Sequence, residues 1–219
     1  MIIELERNNF FMLNWLDKFM SGHKGFICGG CFKNIFNNEK TKDLDIFFRN
    51  AEDWGTAVLY FDEKSVGYED FDYGPLSEED AEYQFYYENP KVKAYKHLKS
   101  GTVIELCKAI FGSPEEIISS FDFTITKFAY YKEKVEEDGE TYIEDKIVCD
   151  EHFFEHLHLK RLVIDDKIPF PMSTFERVLR YAKYGYFPCS ETKIKLAKAI
   201  KELPDAEVEV SNSLYDGMD

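Results

Sequence analysis

Asp43 and Asp45 stand two residues apart in the run KDLDIFF, and on a strand that spacing puts both carboxylates on one face. Carboxylates held that close raise each other's pKa. A hard divalent cation removes the penalty, and Mg²⁺ is commonly held by one or two carboxylates together with substrate phosphates. The chemistry such a pair serves is metal-assisted phosphoryl or nucleotidyl transfer. That reaction usually recruits a third acidic group, so that two ions hold the attacking and leaving oxygens. Asp122, in the later β-branched and aromatic run FDFTITKFAYYK, is the candidate for the third position.

Ahead of the aspartates, residues 26–34 read FICGGCFKN. The order is a short apolar strand, a Gly29-Gly30 break, and a helix with Cys31, Phe32, Ile35 and Phe36 at helical spacing. A turn of this kind presents backbone N–H groups to phosphate. The same stretch spaces Cys28 and Cys31 as a C-x-x-C, the arrangement of a redox dithiol or half a zinc site. His152 and His156, spaced i, i+4 in EHFFEHLHL, would offer further ligands, and His158 follows. There is no second C-x-x-C, and small buried cysteines are the commoner outcome.

The elements that must position these residues belong to a globular chain. Of 219 residues, 44% are hydrophobic and 16% aromatic, which excludes a wholly disordered protein. The 42 acidic against 27 basic residues give a formal charge of -15, which opposes unspecific binding to duplex DNA at long range. Five cysteines, no apolar signal segment after Met1 and no run of membrane-spanning length lead us to expect a soluble cytoplasmic protein with reduced thiols and no membrane partner.

A helix is expected from Asn8 to Gly22, a strand over KDLDIFF, and a helix capped by Asn50. Residues 64–88 are acidic and tyrosine-rich and carry no clear assignment. KVKAYKH and TVIELCK read as a hairpin. SPEE at Ser113 to Glu116 is a capping box, and FDFTITKFAYYK is a strand reaching a hairpin near residues 136–140. Helices follow after Asp150, one opened by a second capping box from Ser173 to Glu176. The organisation is α+β: a mixed-sheet head at 1–149, a helical neck region at 150–205 and an acidic flexible tail at 206–219.

These residues carry a resemblance. GGCFKNIFNNEKTKDLDIFF is similar to the head motif of the nucleotidyltransferase superfamily that includes DNA polymerase beta. It is nearest to the poly(A) polymerase and tRNA CCA-adding branch, with its G-G-x-V-R-D, short helix and D-x-D. DFTITKFAY from Asp122 resembles the branch's D-F-T-I-N-A-L-A-Y, and RVLRYAKY from Arg177 its R-I-L-R-A-I-R-F neck helix. The resemblance covers roughly residues 22–50 and 115–188. It implies that Gly29 and Gly30 hold the triphosphate, that Asp43, Asp45 and Asp122 bind two Mg²⁺ ions, and that Arg177 and Arg180 reach the nucleotide. Lys33 stands where the branch has Arg, Asn34 where it has Asp, Phe121 where it has a basic residue, and Thr126 where it has Asn.

The implied reaction moves a nucleoside monophosphate from an NTP to an acceptor hydroxyl on an RNA 3′ end, a protein or a small molecule, with release of pyrophosphate. The chain lacks the long helical body with which CCA-adding enzymes hold tRNA, so a dedicated tRNA-maturation role is not expected. Two alternatives stay open beside the enzyme. One is a catalytically idle head that binds a basic partner through its acidic surface. The other is a zinc or redox C-x-x-C protein. Arg177 and Arg180 also have a plainer reading, as a basic helix face paired with surface carboxylates.

Overall fold

The computed structural model describes residues 1–70, 74–137 and 139–204. The expected tail at 206–219 lies outside them. The chain divides into two compact units, Met1–Ser120 with Lys127–Cys149, and Phe121–Thr126 with Asp150–Asp219. Among the described residues no helix is long and apolar enough to cross a membrane.

The first unit is built on a large mixed sheet of α+β type. Its strands are β1 (Ile2–Leu5), β2 (Phe26–Cys28) and β3 (Asp43–Phe47), then, after a small antiparallel pair β4 (Glu69–Asp70) and β5 (Gly74–Pro75), β6 (Tyr83–Glu88), β7 (Val92–His97), β8 (Val103–Cys107), β9 (Phe128–Glu137) and β10 (Glu140–Asp150). Their order across the sheet is β1-β10-β9-β2-β3-β8-β7-β6, with β3 and β8 parallel and β2 antiparallel to both β3 and β9. Alternation sorts β3 cleanly. Leu44 and Ile46 are fully buried on one face, while Asp43, Asp45 and Phe47 stand part-exposed on the other.

Helices α1 (Cys31–Phe36), α2 (Ala51–Glu63) and α3 (Pro114–Ser119) flank the sheet's strands in sequence. Asn50 caps α2 by accepting from the Asp53 N–H at 2.9 Å, and Ala57 and Phe61 bury that helix's apolar stripe. The box at Ser113 is complete: Glu116 N–H donates to Ser113 Oγ (3.2 Å) and Ser113 N–H to Glu116 Oε2 (2.8 Å). Ser113→Ala is therefore expected to lower stability by about 1 kcal/mol in urea unfolding.

The segment expected as a helix over 8–22 forms 3₁₀ turns at Arg7–Asn9 and Phe11–Phe19. Leu13, Leu16 and Phe19 recur at intervals of three, the 3₁₀ period, and all three are fully buried. Gly22, at φ +78°, ends the segment.

The strand expected from Asp122 begins only at Phe128, so the placement of Asp122 on a strand is corrected. Thr124–Thr126 is a 3₁₀ turn in which both the N–H and the hydroxyl of Thr126 donate to Phe123 O (2.9 and 2.8 Å). Phe123 bridges Ile164, and Thr124 N–H donates to Val163 O, which assigns this segment to the second unit.

That unit contains α4 (Phe153–His158), β11 (Arg161–Leu162) paired parallel with β12 (Phe187–Pro188), α5 (Pro171–Ala182) and α6 (Ser190–Lys201). The second expected capping box is overturned. Pro171 opens α5 at its first position, which leaves Ser173 buried within the helix instead of capping it. Cys189 caps α6, its Sγ accepting from Thr192 N–H at 3.5 Å.

Candidate functional site

One row of residues crosses five strands of the first unit on a single face. The register sets Cys28 opposite Asp45, Asp45 opposite Glu105, Glu105 opposite Ala94, and Ala94 opposite Tyr87. Asp43 lies two residues before Asp45 on the same face, opposite Val103. Three carboxyl residues thus share one face of the β3–β8 strip, where parallel strands place Glu105 directly beside Asp45.

Burial, then Glu105, then Asp43 push the Asp45 carboxyl well above the usual carboxylate range, and Asp45 hydrogen-bonds Glu105. On its other side Glu105 Oε1 accepts a hydrogen bond from the Tyr87 hydroxyl at 2.5 Å. Burial and the bond to Glu105 raise the Tyr87 pKa, so it stands as a neutral donor. Glu105 did not figure among the residues expected from the sequence to carry the chemistry. The signal for Glu105 was present: it sits between Ile104 and Leu106 as Asp45 sits between Leu44 and Ile46.

The glycine turn forms as expected between β2 and α1, but its two glycines differ. Gly29 has φ +95°, the left-handed region that favours glycine, and its N–H donates to Phe128 O at 3.2 Å. Gly30 has ordinary helical angles, φ −66° and ψ −19°. Cys28 and Cys31 flank the turn as free, buried thiols, with Cys31 Sγ 3.7 Å from Cys28 O. Burial above all, with neighbouring acidic groups adding to it, raises both thiols well above their ordinary pKa, which works against the thiolate that redox or zinc chemistry requires. Lys33 is buried on α1, where its Nζ contacts Asn34 Oδ1 and lies 3.2 Å from Glu39 Oε2.

Asp122 lies in the second unit, its carboxylate largely buried and ion-paired with Arg177 at 2.5 Å. The structure therefore joins two residues to which the resemblance gave separate tasks. Arg180 follows on α5, half-buried. His156 is buried with Nδ1 2.8 Å from Thr124 Oγ1, and His152 faces Glu155.

Among the described residues no three His, Cys, Asp or Glu side chains form a ready metal cage. The donor set around Asp45 nevertheless suits a hard cation that takes the rest of its ligands from phosphate and water. All three groups supply oxygens, and a divalent charge relieves the repulsion that raises Asp45.

A family model described as "Gad2: Gabija anti-defense 2 family protein" matches residues 6–160. No curated protein matches the chain. Among solved structures, a CCA-adding enzyme in complex with ATP is 14% identical, covering 94% of this chain and 47% of its own, at a TM-score of 0.53. A CCA-adding enzyme in apo form I is 14% identical over 93% of this chain and 45% of its own, at 0.52. A complex of CCA-adding enzyme with CTP is 14% identical over 94% and 46%, at 0.51. At this identity the likeness shows the fold, which is nucleotidyltransferase-like. The chain spans about half the length of the solved structures it matches.

Proposed function

The chain belongs to the Gabija anti-defense 2 family, and from that premise we propose that it is a metal-dependent nucleotidyltransferase whose transfer reaction carries the anti-defense role. The observation behind this reading is the cluster of Asp43, Asp45 and Glu105 on one face of β3 and β8, beside the strand–glycine–helix turn. Solved relatives in fold are complexes with ATP and with CTP, which supports an NTP as the donor substrate.

Asp43 and Asp45 would hold the divalent ions, Mg²⁺ by the hardness of their oxygen donors, with Glu105 as the third carboxylate in place of Asp122. When bound, such ions offset phosphate charge and favour the ionised attacking hydroxyl. The acceptor hydroxyl gives its proton to solvent as its oxygen bonds to the α-phosphorus, the bond from the α-phosphorus to the oxygen that bridges it to the β-phosphorus breaks, and pyrophosphate leaves with the electron pair. Gly29 shapes the turn that carries α1, and Lys33 supplies a cation held in place by Glu39. Asp122 fixes the Arg177 guanidinium within the second unit. The acceptor is an RNA end, a protein or a small molecule.

Relief of Gabija defence in cells expressing the chain tests the proposal. The unmodified chain should relieve it, and the Asp43→Ala, Asp45→Ala variant at equal abundance should not. If the double variant relieves the defence as well, the chain acts as an idle nucleotidyltransferase head through its acidic surface.

A further inference from the structure

We infer that Tyr87 is a positioning residue for the acidic cluster, holding Glu105 beside Asp45 so that the cluster is ready for a divalent cation; this rests on the metal-site reading above. Strand β6 pairs Phe85 with Tyr95 and then Tyr87 with Ala94, so Tyr86 is the extra residue of a bulge. Continued without the bulge, the register would set Tyr86 opposite Ala94. The shift puts Tyr87 there instead and leaves Tyr86 55% exposed. Bulges at sheet edges commonly re-aim one side chain next to a site, and β6 is the edge strand.

What the bulge aims is a hydroxyl two strands from its own backbone. Ala94 lies between Tyr87 and Glu105 in the row, fully buried, with only a methyl to span. The Tyr87 ring packs against Val92, Ala94 and Cys107 together with Phe47 and Val103, and its hydroxyl arrives 2.5 Å from Glu105 Oε1. A carboxylate accepts several hydrogen bonds, so one phenol fixes its orientation while the other oxygen stays available. A lysine or arginine in that position would cancel the charge that a cation needs. A neutral hydroxyl orients the carboxylate and leaves the charge intact, as partners behind metal ligands do.

Mn²⁺ binding to the full chain, followed by the loss of the free-ion electron paramagnetic resonance signal with and without a non-hydrolysable NTP analogue, tests this without relying on turnover. Tyr87→Phe keeps the ring and its packing. It is expected to weaken Mn²⁺ binding roughly 10- to 100-fold with an unchanged circular dichroism spectrum and unfolding midpoint. Ala94→Leu, which leaves Tyr87 in place but obstructs its reach, is expected to weaken binding comparably, and the two changes together should cost no more than the larger alone. The inference is overturned if Tyr87→Phe binds Mn²⁺ as tightly as the unmodified chain while Asp45→Asn does not bind, or if the two losses add in full. An unmodified chain that binds no Mn²⁺ even with the analogue would overturn the metal-site reading itself.

Discussion

Asp45→Asn is expected to lower nucleotidyl transfer by at least about 10³-fold and at the same time to make the metal-free protein more stable at neutral pH. The two effects have one cause. In the folded chain the Asp45 carboxyl is raised well above its ordinary value by burial and by Glu105 and Asp43. The native state therefore binds this proton more tightly than the unfolded state does. The stability that the protonated group contributes is fully present below the unfolded pKa, near 4, and is lost as pH rises through the folded value.

At pH 7 the unfolded chain holds Asp45 ionised at no cost, whereas the folded chain must either keep a proton on the carboxyl or tolerate a third charge in the cluster. Asparagine keeps the shape and the hydrogen bonding without the charge. A gain on the order of 1 kcal/mol is expected, measured by urea unfolding in the presence of a chelator. The gain should shrink as pH falls below the unfolded pKa near 4, where the wild-type carboxyl is protonated in both states. Mg²⁺ with an NTP should stabilise the unmodified chain and leave the variant nearly unaffected. A variant less stable than wild type at pH 7 would contradict the electrostatic account of the cluster.

Gly29→Val is expected to cost about 2 kcal/mol of stability or more and to abolish measurable nucleotide binding. The residue sits at φ +95°, where a β-branched side chain is strained, and its N–H is committed to Phe128 O at the end of the β2–β9 pairing. Moving this turn moves α1 and the end of β2 together, and β2 is the strand beside Asp45. Gly30→Ala, at φ −66° and ψ −19°, should stay within about 0.5 kcal/mol of wild type. Replacing Cys28 and Cys31 together by Ala should leave nucleotide binding largely intact. Urea unfolding and titration with a fluorescent NTP in Mn²⁺ separate these cases. Equal losses in Gly29→Val and Gly30→Ala would mean that backbone conformation is not what the turn requires.

The contrast between the two glycines shows where sequence reading stopped. FICGGCFKN yields a strand, a turn and a helix from residue types alone, because apolar run, glycine pair and helical spacing are local signals. Which glycine bears the positive φ depends on how β2 joins β9, a pairing across about a hundred residues of chain. DLDIF was legible for the same local reason: its alternation has one apolar and one acidic face. The box at Ser113 was legible, and the one at Ser173 misled because Pro171, two residues earlier, had already opened the helix. In FDFTITKFAYYK the β-branched residues suggested strand throughout, but the Thr126 hydroxyl turns back to Phe123 O and removes Asp122 from the strand.

Glu105 and Tyr87 needed information that no single segment carries. Glu105 becomes a neighbour of Asp45 only through the parallel pairing of β3 with β8, and Tyr87 reaches Glu105 only because of the bulge in β6. The half of the site built on local pattern was readable in the chain; the half built on register was not.

Incubation of the purified chain with each α-³²P-labelled NTP, a divalent cation, and a cell extract containing RNA, protein and small molecules tests the central claim most directly. The account predicts that label moves to an acceptor as pyrophosphate is released, that a chelator stops the transfer, and that Asp43→Ala and Asp45→Asn each abolish it. Failure of every NTP to bind or transfer label, in an extract where the unmodified chain still relieves Gabija defence, would contradict it.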